Sequence, residues 1–167
     1  MPNNSNSLNG SSGEARPPFA FDLAAERKKS ALLPDGKYRA VITQAYCKLD
    51  DKGHAEYVIL TFDITDGEYK GIFDGIDSGD GEPDTARNRG VRLTIAESSK
   101  KGRAHAARAI ETIMECNPGF DPSDALLEGG WGVFVGKKVV VKVEHHVYHG
   151  VAYNDFSFIN WTELHKI

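Results

Sequence analysis

The stretch HAEYVILTFDITDGEYKGIFDGI, residues 54–76, decides the fold. Val58, Leu60, Phe62 and Ile64 alternate with Tyr57, Ile59, Thr61 and Asp63, the period of a strand with one face in a core. Asp66-Gly67 then reads as a type I′ turn, because both central positions of that turn need positive φ. A two-residue turn there sets Ile64 opposite Tyr69, Asp63 opposite Lys70, Phe62 opposite Gly71 and Leu60 opposite Phe73. The opposite charges of Asp63 and Lys70 favour that register. A glycine facing a phenylalanine suits a sharply curved strand. The stretch therefore predicts two strands, over 54–65 and 68–76.

The same patterns place the other elements. A first strand is expected over 37–49 and a helix over 99–116. The helix carries Ala106, Ala107, Ile110, Ile113 and Met114 on one stripe, and Arg103, His105, Arg108, Glu111, Thr112 and Glu115 on the other side. Ser98 or Ser99 is its N-cap, and Asn117-Pro118-Gly119 stops it. Leu126, Leu127 and Trp131 then seal one end of the core. A last hairpin spans 137–147 and 151–161 around Tyr148-His149-Gly150, with Val139, Val141 and Val143 alternating with Val140, Lys142 and Glu144. Val91–Ile95 extends the third strand after a polar insertion at 77–90. Five strands with a helix between the third and fourth is the order of an OB-fold, a small barrel that commonly binds oligonucleotides. The expected class is thus β-rich, a five-stranded OB-like barrel with one helix.

The 167 residues fit one domain plus a tail, with 1–32 as a flexible N-terminal arm and 33–167 as the barrel. Residues 1–17 are polar and without period, which predicts disorder. Leu23–Lys29 forms a short helix whose Arg27-Lys28-Lys29 run is either a solvated face or a phosphate-contacting arm. No segment approaches the roughly 18 apolar residues of a membrane span, and the Asn/Ser/Gly-rich start is unlike a signal peptide. A cytoplasmic protein with no membrane partner is expected. Cys47 and Cys116 have no metal-ligand spacing and are expected to be reduced.

The net charge of -4 argues against a duplex-coating protein, whose affinity comes mostly from phosphate neutralisation. It leaves room for a single-strand binder, where stacking supplies part of the energy and a local basic groove suffices. In the expected register Tyr57, Ile59, Thr61, Lys70 and Ile72 share the outer face. That face is either the ligand platform of an OB-fold, or is covered by Phe19 or Phe21 of the N-terminal arm or by a second subunit. The loop at 77–90 lacks the ligand spacing of an EF-hand. Its Arg87 and Arg89, with Arg92 beyond, either contact phosphates or are merely solvated. The hairpin tip gathers His145, His146, Tyr148, His149, Tyr153 and Asn154, a composition that stacks on bases or simply favours exposed hairpin ends. Adjacent histidines on a strand point to opposite faces, so His145 and His146 would not share a metal ion, and no metal or other cofactor is expected. The signature patterns GxSxG, P-loop, Rossmann and HExxH do not occur, so the sequence reads as a binder, not an enzyme.

Three motifs carry a resemblance. Leu33–Ile42 has the form LPxGxYxAxI, Lys52–Gly71 the form KGxxxxxxLxFxIxxGxYxG, and Gly136–Phe158 the form GKxVxVxV…YxGxxYNxFxF. Together they resemble phage-encoded proteins of an uncharacterised domain family often placed with single-stranded-DNA-binding proteins. The resemblance covers most of 33–161. It implies single-stranded DNA binding in phage or mobile-element replication and recombination, with phage or host proteins of those processes as further partners. Many single-strand binders end in an acidic tail, whereas this sequence ends Glu163-Leu164-His165-Lys166-Ile167.

The expected nucleic-acid contacts are Lys37, Arg39, Lys48, Lys70 and Lys142 along the phosphates, with Tyr57, Tyr148 and Tyr153 stacking bases. The rival expectation is a protein-interaction module, such as a phage factor that binds or inhibits a host or defence protein. The acidic insertion and the Ile59/Ile72 pair suit it. An edge strand or the outer isoleucines also offer a route to a homo-oligomer.

Overall fold

The computed structural model describes residues 17–23, 33–74 and 89–165. The chain divides into two units, Met1–Ser30 and Ala31–Ile167. Within the first, Ala20 N donates to Pro17 O, and Phe19 and Phe21 are exposed. Most of the expected helix at Leu23–Lys29 lies outside the described residues, as does most of the 77–90 loop.

The second unit is built on a five-stranded antiparallel sheet in the order β3-β2-β1-β4-β5. The strands are β1 (Gly36–Leu49), β2 (Ala55–Ile64), β3 (Gly90–Thr94), β4 (Lys138–Tyr148) and β5 (Val151–Ile159). Helix α1 (Lys100–Cys116) and the short α2 (Ser123–Leu127) lie between β3 and β4. A 3₁₀ turn, Trp131–Phe134, leads into β4, and a second, Trp161–His165, comes after β5. No helix among the described residues is long and apolar enough to cross a membrane.

Alternation explains the core. Val58, Leu60, Phe62 and Ile64 of β2 share the inner face with Val139, Val141 and Val143 of β4 and Phe156 and Phe158 of β5, all buried in one cluster. That face is strongly curved. Two strands separate β2 from β5, so on a flat sheet they would stand about 14 Å apart. Yet the Phe62 and Phe156 rings meet edge to face at 5.0 Å, and Phe73 touches both, at 5.6 and 6.3 Å.

The expected β-rich, five-stranded class is found, but the sheet does not close into a barrel. The sheet ends at β3 and β5, which approach each other without a ladder between them, and α1 packs against β3, β4 and β5. Ser99 caps α1 by accepting from Gly102 N at 3.2 Å. The buried stripe of α1 is Ala106, Ala109 and Ile113. Ala107, expected in the core, is exposed, because the stripe is centred one residue further round the helix. Leu126 and Trp131 pack against the core as expected, whereas Leu127 faces solvent.

The largest correction concerns 68–76. The described part, 68–74, is a run of turns and not a strand. Lys70 N donates to Gly67 O, Ile72 N to Tyr69 O and Asp74 N to Gly71 O. Gly71 has φ 73°, which breaks an extended run. Asp63 does not pair with Lys70. Its Oδ1 accepts from Ile64 N at 2.9 Å and Phe73 N at 3.0 Å, and so pins the turns against the end of β2. Phe73 and Ile72 are both delivered to the inner core, so Ile72 is not on the outer face. The strand beside β2 is Gly90–Thr94 instead, with Leu60 opposite Val91 and Ile59 opposite Arg92.

Candidate nucleic-acid interface on the outer face

A β-bulge sets the composition of the outer face. Strict alternation would put Lys48 on the opposite side of β1 from Lys37 and Arg39. The register shifts between Ile42 and Gln44, so that Ile42 pairs with Phe62 and Gln44 with Thr61. The extra residue, Thr43, shares a hydrogen bond of 2.8 Å with the Thr61 hydroxyl. Beyond it the phase of β1 is inverted, and Lys48 pairs with Tyr57 on the outer side. The bulge thereby brings Lys37, Arg39 and Lys48 onto one face.

The β1–β4 and β4–β5 ladders extend that face. Lys142 stands directly opposite Lys37, and Val140 opposite Arg39. Further along β4, His146 pairs with Tyr153 and Tyr148 with Val151. The His146 and Tyr153 rings are stacked, with centroids 5.9 Å apart and planes at 28°. Tyr148 packs edge to face on His149 at 4.1 Å. The hairpin turns through His149 (φ 50°) and Gly150 (φ 78°), both in the left-handed region that a two-residue turn demands. Past the Gly36–Val143 pair β1 ends, so β4 and β5 continue as a two-stranded arm.

Each cation has a distinct setting. Lys37 Nζ donates to Glu163 O at 2.7 Å. Arg39 lies over the Trp161 ring, 4.7 Å from its centre, and reaches Asp66 Oδ2 with Nη1 at 3.4 Å. Lys142 pairs with Glu144 at 2.5 Å, and the hydrogen bond to that carboxylate raises the Lys142 pKa. Lys48 is exposed. Lys70 sits outside the sheet, exposed in the turns after β2.

The aromatic residues divide. Tyr148 and Tyr153 are 63% and 41% exposed. Tyr57 is only 4% exposed, and the Arg92 guanidinium lies 4.0 Å above its ring. Ile59 beside it is fully buried, and the two form a small second cluster with Tyr46. The expected platform of Tyr57 and Ile59 is therefore closed to a base, and the accessible rings lie on the arm and at Trp161.

Sequence reading missed Trp161. Trp161 read as the end of a strand, but it begins a 3₁₀ turn that folds under Arg39. Arg92, expected either to contact phosphates or to be solvated, pairs with Ile59 on the outer face and lies over the Tyr57 ring. His145 and His146 do occupy different environments: His145 pairs with Asp35 at 2.7 Å, and His146 stacks on Tyr153. Among the described residues no group of three metal-ligating side chains converges. Both cysteines are free, and burial pushes the Cys116 thiol up.

No protein-family model matches the chain, and no curated protein is detectably similar to it in sequence.

Proposed function

We propose that this protein binds single-stranded DNA along the outer face of the β1–β4–β5 region, in phage or mobile-element replication or recombination. The observation that carries the reading is the Lys37–Lys142 pair. Like charges directly opposite across a ladder disfavour folding, and an anionic ligand is what makes such a pair useful. Arg39 and Lys48 continue the row, and His146, Tyr148 and Tyr153 offer ring faces to bases at its end. Base–aromatic stacking contributes roughly 1–3 kcal/mol per base and needs no globally basic protein.

The fold is compatible with this. An OB-like barrel is itself partly open, and the order β3-β2-β1-β4-β5 with α1 after β3 suits one parted between β3 and β5. The resemblance carried by Leu33–Ile42, Lys52–Gly71 and Gly136–Phe158 supports the replication and recombination setting. The test is fluorescence anisotropy of a labelled dT oligonucleotide with the wild type and a Tyr148→Ala/Tyr153→Ala double variant. Binding that weakens in the variant supports the reading and places the stacking site on the arm.

One observation favours a second reading. Val147, Tyr148 and Val151 are all at least half exposed at the arm tip, which suits a protein-interaction module whose partner covers the arm. Such an interface is nearly independent of salt, whereas phosphate binding is not.

A further inference from the structure

β1 begins before β2 can reach it. Residues 36–39 pair with β4 on one side, but the first β2 pair is Ala40 with Ile64. After Thr65 the chain turns away, leaving a depression of about 260 Å³ lined chiefly by Lys37, Tyr38, Arg39, Asp66, Glu68 and Tyr69. The Tyr38 and Tyr69 rings meet edge to face at 6.0 Å and form an aromatic wall.

Arg39 is the polar centre of this depression. The Trp161 ring lies beneath its guanidinium, 4.7 Å from ring centre to Cζ. Among the described residues the side-chain acceptor of Arg39 is Asp66 Oδ2, at the outer limit of hydrogen bonding, and Arg39 Nε is buried without one. A half-exposed guanidinium whose acceptor contact is loose suits a group that presents two oxygens side by side. Phosphate and carboxylate both do so.

Charge narrows the choice. Lys37 and Arg39 are balanced by Asp66 and Glu68, so a multiply charged phosphate would face two carboxylates. A singly charged phosphodiester escapes most of that repulsion. We infer that this depression holds one internal phosphodiester of a single strand, its free oxygens on the exposed guanidinium N–H groups of Arg39, with the adjoining base against Tyr69. The inference rests on the single-strand reading above and gives it a fixed anchor. Asp66 is then a built-in competitor that the phosphate displaces from Arg39.

The test compares wild type, Asp66→Asn and Arg39→Lys in anisotropy titrations with a labelled dT oligonucleotide. Asp66 is an exposed turn residue, so its replacement leaves the core intact. The expected results are several-fold tighter binding by Asp66→Asn, and weaker binding by Arg39→Lys with an unchanged salt slope, because the charge is kept and the fork is lost. A thymidine dinucleotide should compete better than thymidine triphosphate. If the wild type binds but neither variant changes its affinity, the anchor is overturned and the single-strand reading stands. Equal or better competition by the triphosphate overturns the diester assignment. Absence of binding by both wild type and Asp66→Asn overturns the anchor and the single-strand reading together.

Discussion

Lys37 of β1 and Lys142 of β4 stand directly opposite each other on the outer face of the sheet, and each is held by its own acceptor. Lys142 takes the Glu144 carboxylate and Lys37 the Glu163 carbonyl. The repulsion is thus offset locally, while the positive row stays on the surface.

Replacing Lys142 separates folding from binding. Lys142→Ala removes both the like charge opposite Lys37 and the exposed ion pair with Glu144, each worth little, so the urea midpoint should change little. The slope of log K against log salt for a dT oligonucleotide should fall by about 0.7, the share of one phosphate contact on a single strand. A lower midpoint with an unchanged slope would show that Lys142 is structural.

The curvature of the sheet rests on its aromatic cluster. Phe62 bridges Phe73 from the turns and Phe156 from β5, and all three are buried. Phe62→Ala should cost about 3–5 kcal/mol in denaturant unfolding, from lost burial plus the cavity left behind. A cost below about 1 kcal/mol would mean that the cluster does not hold the curl.

Gly102 gives a prediction against the usual rule. Glycine to alanine inside a helix ordinarily stabilises by about 1 kcal/mol. Here a Cβ would lie 2.6 Å from Ser99 Oγ and 2.8 Å from Thr94 Cβ and Cγ2. Gly102→Ala should therefore lower the melting temperature, because the N-cap and the end of β3 both crowd that position. A higher melting temperature would show that α1 can shift away from β3.

Acid should loosen the β1–β2 turn. The Asp50 carboxylate accepts from His54 N at 2.8 Å and Lys52 N at 2.9 Å. These bonds, His54 N first, hold its pKa below the ordinary 3.8. A depressed folded pKa contributes stability above the unfolded value, and that contribution is lost as pH falls through the folded one. Urea midpoints measured from about pH 5 down to pH 2 should thus fall less steeply for Asp50→Asn than for wild type. Parallel curves would remove Asp50 from the account.

Much of the fold is legible in the sequence because it depends on alternation. Val58 to Ile64 and Val139 to Val143 declare their buried faces by period alone, and Ser99 and Asn117 mark the ends of α1. Asp66-Gly67 misleads for a physical reason. The pair can turn a chain, but the path beyond the turn depends on which acceptors the next amides find. Here Asp63 Oδ1 captures Phe73 N, so 68–74 winds into turns and β3 takes the place beside β2. The site is legible in parts. Lys37, Arg39 and Lys142 come from alternation, but Lys48 joins them only through the bulge at Thr43, which a two-residue period cannot reveal. Tyr57 is misplaced because Val91–Ile95 reads only as an extension of a strand at 68–76, whereas it takes that strand's place beside β2, with Thr94 opposite Tyr57 and Arg92 over its ring.

The most direct test of the central claim is the equilibrium binding of a labelled dT oligonucleotide to the wild-type protein, titrated at low and then at moderate salt. The outer-face account predicts binding at low salt that weakens steeply as salt rises. No binding at low salt, or binding indifferent to salt, would contradict it and turn attention to a protein partner for the arm.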